Sequence, residues 1–206
     1  MTEENRVVLA AGAGGPEVLR LENRPRPVPG PHELLVRVHA AGVNRPDVMQ
    51  RQGNYPPPPG ASEVLGLELA GEVTALGEGV TRFAPGARVM GLVHSGGYAD
   101  WALVHEEIAI GLPDSLGYVE AAAIPETLLH GLEQRLRAGR AEAGRDHPDP
   151  MAAPRASARP PRCLAKAFGA TVLVTAGGPE KLHGRPRPSA RITPIDYRSA
   201  DFVAEA

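Results

Sequence analysis

The side chains able to bind a metal or act as a nucleophile are few and poorly placed for either. The chain has one cysteine, Cys163, which can make neither an internal disulfide nor a cysteine-rich zinc site. Its seven histidines are scattered without i, i+4 pairing, so no metal ligand is expected. Other polar residues stand in more suggestive settings. Asn44 lies just before Arg45 and Pro46, where it can cap a short helix running to Gln50 and where a first-turn proline is tolerated. Tyr55 precedes Pro56–Pro59, a run that must form a stiff, exposed loop on which a tyrosine can simply pack. Asp47 and Arg51 fit the shaping of that helix and its turn. Lys181 has a plain reading as a solvated lysine at a helix start.

The elements that must position these residues are mostly strands up to about residue 127. Arg6–Ala10 and Glu17–Leu21 flank a glycine-rich turn. Glu33–Ala40 alternates around Val36 and Val38, as a half-buried strand should. Leu65–Leu76, Ala87–Val93 and Tyr98–Val104 are strand-like, and each ends at glycine or an acid. Glu120–Ile124 is expected to be helical. Many short strands with Gly and Pro punctuation indicate a barrel or sandwich.

The stretch 128–162 differs. It contains no Val, Ile, Phe, Tyr, Trp or Thr, and it carries seven Arg and five Pro. Beyond a first helical third, it cannot bury enough apolar surface to offset its ordering entropy. Leu164–Gly169 then reads as a helix end and Ala170–Ala176 as a buried parallel strand. Residues 182–193 lapse again before Ile195-Asp196-Tyr197, another strand.

A net charge of −2 and a pI near 6.4 give no reason to expect a nucleic-acid or membrane-surface partner. No apolar run is long enough to span a bilayer, and the opening MTEENRVVLAAG lacks the basic start of a signal peptide. A cytoplasmic setting is expected. Basic residues are 20 Arg against 2 Lys, which suggests a GC-rich gene.

Four phrases carry a family resemblance: AGVNRPDVMQRQGNYPPPPGA (41–61), LGLELAGEVTALGEGV (65–80), PGARVMGLVHSGGYADWALV (85–104) and AAAIPET (121–127). Together they resemble the GroES-like catalytic domain of the medium-chain dehydrogenase/reductase family. ATVLVTAGGPEK (170–181) and IDYRSADF (195–202) resemble the second and next strands of its Rossmann domain. The implied architecture is α/β: a GroES-like β-barrel over residues 1–125, then an incomplete Rossmann (doubly wound) domain over 126–206. Zinc-dependent members hold catalytic zinc with a thiolate at the position matched by Asn44 and an imidazole at that matched by Leu67. An amide is a poor zinc ligand and leucine is none. The pattern therefore resembles the zinc-independent quinone oxidoreductases, in which hydride delivery to an already electrophilic quinone needs mainly proximity and orientation.

The resemblance implies roles residue by residue. Asn44 would sit beside the nicotinamide and the substrate carbonyl and donate to a developing oxyanion. Tyr55 would line the substrate mouth and relay a proton. Glu68 matches a glutamate that neighbours the metal in zinc members and is expected here to be a structural hydrogen-bond acceptor. Thr127 would touch the nicotinamide ribose or amide. Lys181 and Tyr197 match positions that hold the 2′-phosphate of NADPH, the implied cofactor. The substrate would be a small quinone or enone, and the assembly a homodimer if the cofactor domain were complete.

One part of the pattern is missing. The family needs a glycine-rich turn after its first Rossmann strand, where backbone N–H groups meet the pyrophosphate. Here stands MAAPRASARP (151–160). That segment can be written in codons that, read in a shifted frame, encode GGTSGIGTT, which resembles the missing turn. PSARITP (188–194), treated likewise, contains FGADHA, which resembles the family's run into IDY. A frame-disrupted, truncated cofactor domain and an impaired NADPH-dependent quinone (or conjugated carbonyl) oxidoreductase are expected. The alternatives are an inactive remnant whose folded barrel binds a partner, and, disfavoured, a zinc-type alcohol dehydrogenase.

Overall fold

A computed structural model describes residues 4–129, together with the backbone of 147–149, 172–176 and 192–196. The chain divides into two compact units between Glu126 and Thr127.

The first unit is built on antiparallel strands. β1 (Glu4–Ala10) and β2 (Leu19–Pro25) form a hairpin. β3 (Glu33–Ala41), β4 (Glu68–Leu76), β5 (Arg88–Leu92), β6 (Trp101–His105) and β7 (Ala109–Gly111) form a five-stranded sheet in the order β6-β3-β4-β5-β7. This is the expected barrel-type unit, left open between β6 and β7. Two helices complete it, α1 (Arg45–Arg51) and α2 (Tyr118–Ala122), and residues 125–129 are helical again.

The two central strands carry the core. Leu34, Val36, Leu69, Val73, Val89 and Val104 pack as one cluster, each essentially inaccessible to solvent. β3 buries Leu34, Leu35 and Val36 in succession rather than in alternation. Its register with β4 shifts between Leu35 and Val36, and such a bulge turns consecutive side chains inward. A second cluster, Ala70, Met90, Leu112, Ala121 and Ala122, seats α2 on the sheet.

The sequence reading needs correction at several elements, among them β1, which begins at Glu4, and β6, which begins at Trp101 rather than Tyr98. The strand expected over Glu17–Leu21 is instead a 3-10 turn, Pro16–Val18, followed by β2 running on to Pro25. The strand expected from Leu65 begins at Glu68, because Gly66 adopts φ +100°. α2 starts two residues earlier than Glu120, capped by Gly117. The three-residue β7 went unforeseen.

In the second unit, β8 (His147–Asp149), β9 (Val172–Ala176) and β10 (Ile192–Asp196) form a parallel sheet in the order β10-β9-β8. Parallel pairing matches the expectation for residues 170–176, whereas the strand expected from Ile195 begins at Ile192, inside the stretch read as a lapse; the order is that of one half of a doubly wound sheet. β8 lies within the stretch read as unable to bury apolar surface. Among the described residues, β8 and β10 each pair only with β9 and so stand at the edges of this sheet, where Pro148 and Pro194 are tolerated.

Candidate active site

Gly42 to Asp47 form the centre of the candidate site. Asn44 has extended backbone (φ −117°, ψ 162°) and occupies the N-cap of α1, with Pro46 in the first turn. Its N–H donates to Asp47 Oδ2 at 2.7 Å, so the third helical residue satisfies the N-cap backbone, as in a capping box. The Asn44 side chain completes that box toward the Asp47 backbone N–H, and its Nδ2 donates to Glu68 Oε1 at 2.7 Å. The other carboxylate oxygen, Glu68 Oε2, accepts the backbone N–H of Glu126 at 2.9 Å. Glu68 opens β4 and is only 2% exposed.

Asp47, 3% exposed, is held in turn by the Tyr98 hydroxyl, which donates to Oδ2 at 2.9 Å and lies 3.2 Å from the Gly42 carbonyl oxygen. Two buried acids and a half-buried phenol are thus gathered around one asparagine. Burial pushes the Asp47 carboxyl above its ordinary range, against the opposing hydrogen bonds from the Asn44 N–H and Tyr98. Burial also raises Glu68. The Glu126 N–H and the Asn44 amide oppose that shift, and the charges of Glu126 and Asp47 add to it. The Tyr98 hydroxyl is pushed far up, first by burial and then by Asp47 and Glu68. It therefore remains a donor at neutral pH.

Tyr55 stands elsewhere on the chain, four residues beyond the end of α1 and 44% exposed. Its loop is open along Gln52–Gly60. Thr127 lies in the helical residues 125–129, at the first position of the second unit. Lys181 and Tyr197 lie outside the described residues, as do 151–160 and the expected helix end at Leu164–Gly169. At the two positions matched to zinc ligands, Asn44 is engaged with Glu68 and the Leu67 side chain is buried. Among the described residues, no group of three or more His, Cys, Asp or Glu is arranged to hold a metal, and no helix is long and apolar enough to cross a membrane.

Sequence reasoning placed Asn44 and named Glu68 an acceptor, but it did not find Tyr98 or the backbone of Glu126. These partners lie 24 to 58 residues apart in sequence, and only the fold joins them. A separate cleft of about 310 Å³ runs beside β1, with Asn5, Val7, Arg24, Ser62 and Trp101 in its wall. Neither Asn44 nor Tyr55 lines it. The Asn5 amide is already spent on the Trp101 backbone, donating to its carbonyl at 3.0 Å and accepting its N–H at 2.9 Å.

Residues 30–114 match the alcohol dehydrogenase GroES-like domain family. A quinone oxidoreductase of Lama guanicoe is 36% identical over 141 residues, which are 68% of this chain and 43% of that protein. A quinone oxidoreductase of Rattus norvegicus is 34% identical over 172 residues, 81% of this chain and 51% of that one. Among solved structures, the quinone oxidoreductase of Pseudomonas syringae pv. Tomato DC3000 matches with a TM-score of 0.76 and 30% identity, covering 98% of this chain and 62% of its own. The chain spans about half the length, or less, of the curated relatives it matches.

Proposed function

This chain belongs to the medium-chain dehydrogenase/reductase family, in its quinone oxidoreductase branch, and from that premise we propose that its fold serves NADPH-dependent reduction of a quinone or conjugated carbonyl without zinc, with this chain impaired in that activity. The observation that carries the reading is the Asn44 amide, fixed by Glu68 at 2.7 Å at the position where a zinc member would place a thiolate. A primary amide has two N–H donors. One is committed to Glu68, and the second is free to meet an oxygen on which negative charge develops. Tyr55, exposed on its proline loop, would border the mouth through which a planar substrate enters. With Leu67 buried and apolar, the pair offers no second metal ligand, which supports the zinc-independent reading.

When bound, the nicotinamide cofactor would supply the hydride. The residues of this chain fit that cofactor only in part. The parallel order β10-β9-β8 suits the strands beneath a dinucleotide. The segment that follows β8 does not: residues 150–160 hold three prolines and no glycine. Proline has no N–H to offer a pyrophosphate, and a side chain at each glycine position blocks close backbone approach. Thr127, Lys181 and Tyr197 remain the residues proposed to touch cofactor, and they cannot replace that turn. The same reading proposes a cytoplasmic protein without nucleic-acid or membrane partner, and a homodimer only with a complete cofactor domain.

The test is quinone-dependent NADPH oxidation by a form repaired at both lapses, with the glycine-rich turn restored at 151–160, and carried on to the full length of its relatives. That protein should turn over, and Asn44→Ala in it should lower the rate by on the order of 10². A repaired protein in which Asn44→Ala leaves turnover unchanged would refute the assigned role.

A further inference from the structure

Glu68 meets two donors from different parts of the chain, the Asn44 amide at Oε1 and the Glu126 N–H at Oε2. A carboxylate only accepts. Turning the Asn44 amide over would set Oδ1 against Oε1, two acceptors in contact at a side chain that is 2% exposed, where water cannot intervene and an unmatched polar pair is costly. The carboxylate itself has little freedom. A Cβ on Gly42 would overlap Glu68 Oε1 and Cδ and the Ala122 carbonyl oxygen, so Glu68 fills the space of a missing side chain. The Asn44 backbone is fixed by other means, through Asp47 and Tyr98.

We propose that Glu68 is a positioning residue: it locks the Asn44 amide in the one orientation that leaves an N–H for a ligand, and it ties that orientation to the backbone of Glu126 at the end of the first unit. The functional weight of this lock rests on the reading of Asn44 as the oxyanion donor. Sequence alone suggests a structural acceptor at Glu68; the geometry makes it the residue that decides which atoms of Asn44 face the substrate.

Glu68→Gln separates the two ideas. Glutamine keeps the size but has one acceptor oxygen. If Glu126 claims it, the glutamine NH₂ faces Asn44 and favours the reversed amide. The readout is the Asn44 side-chain NH₂ pair in an ¹H–¹⁵N spectrum of the full chain, assigned by its disappearance in Asn44→Asp. In the wild type, one proton of the pair should be shifted downfield and slow to exchange. In Glu68→Gln that signature should be lost while the Asn44 backbone N–H, held by Asp47, keeps its shift. Glu68→Asp, still acceptor-only, should retain more of the signature, and it serves if the glutamine variant fails to fold. An Asn44 pair unchanged in Glu68→Gln, or lost equally in Glu68→Asp, overturns the proposal. Adding duroquinone, whose fully methylated ring takes no thiol addition, tests the reading beneath it. The second Asn44 proton should shift in the wild type and not in Glu68→Gln. A lock that holds while duroquinone moves nothing overturns the oxyanion reading and supports the lock alone.

Discussion

At the scale of single residues, the candidate site depends on close approach and burial. Gly42 admits the Glu68 carboxylate only because it has no side chain. Gly42→Ala should therefore displace Glu68, loosen Asn44 and lower the denaturation midpoint; an alanine variant as stable as the parent, with the Asn44 amide signature intact, would contradict that packing. Another buried acid, Glu106, has none of its partners in the site. It accepts the N–H groups of Thr81 and Arg82 at 2.8 and 2.9 Å and faces His32 Nδ1 at 2.8 Å. The contact with His32, followed by those two N–H bonds, holds its carboxyl down at about 2, from an ordinary 4.5. A carboxyl depressed in the fold contributes stability above its unfolded pKa and loses it as pH falls through the folded one. Urea midpoints of wild type and Glu106→Gln should thus differ most near pH 7 and converge between about pH 4.5 and 2. A gap that stays constant down to pH 2 would show that the shift does not contribute.

At the scale of elements, what could be read from sequence follows from how regularly each element is buried. β3, β4 and β5 announce themselves because one or both faces are covered, and α1 because Asn44 and Pro46 punctuate it. β2 is exposed at every position, Leu21 at 78%, so no alternation marks its length and its start was misplaced. β7 has three residues, too short for any periodicity. β8 is short and contains proline, and its strand character comes from pairing with β9 rather than from its own composition. Asn44 and Asp47 were legible because a helix cap is a local signal, and Glu68 through the family resemblance, whereas Tyr98 and the Glu126 backbone are distant partners. Two substitutions test the elements. Leu69→Ala, at a fully buried position of β4, should cost about 2–5 kcal/mol by chemical denaturation; a loss well under 1 kcal/mol would contradict the assigned core. Gly66→Ala should destabilise for another reason. Its φ of +100° disfavours a side chain, and the new Cβ would stand 2.5 Å from the Tyr98 ring and 2.6 Å from the Tyr98 backbone nitrogen. Because Tyr98 holds Asp47, the α1 cap should loosen with it, seen as faster exchange of the Asn44 backbone N–H. Unaltered exchange would separate Gly66 from the site.

At the scale of the whole molecule, the two units contrast in how well sequence and structure agree. In the first, strand pattern, turn glycines and buried core point to one fold, which is the mark of a unit that folds by itself. Residues 1–126 alone should unfold in one cooperative transition; a fragment without one would mean that this unit depends on the rest of the chain. In the second, β8–β10 supply a parallel scaffold, yet the segment after β8 offers prolines where a dinucleotide needs glycine N–H groups. We propose a frame slip as the origin of that mismatch; a gene in which no shifted frame through codons 128–162 encodes a glycine-rich turn would remove it as the explanation. We propose that this chain carries a substrate-side site like that of its relatives, with a cofactor side unable to hold a nucleotide. Titration of the purified chain with NADPH, followed by nucleotide fluorescence, tests it most directly. The account predicts no saturable change in the micromolar range; tight, saturable micromolar binding would contradict it.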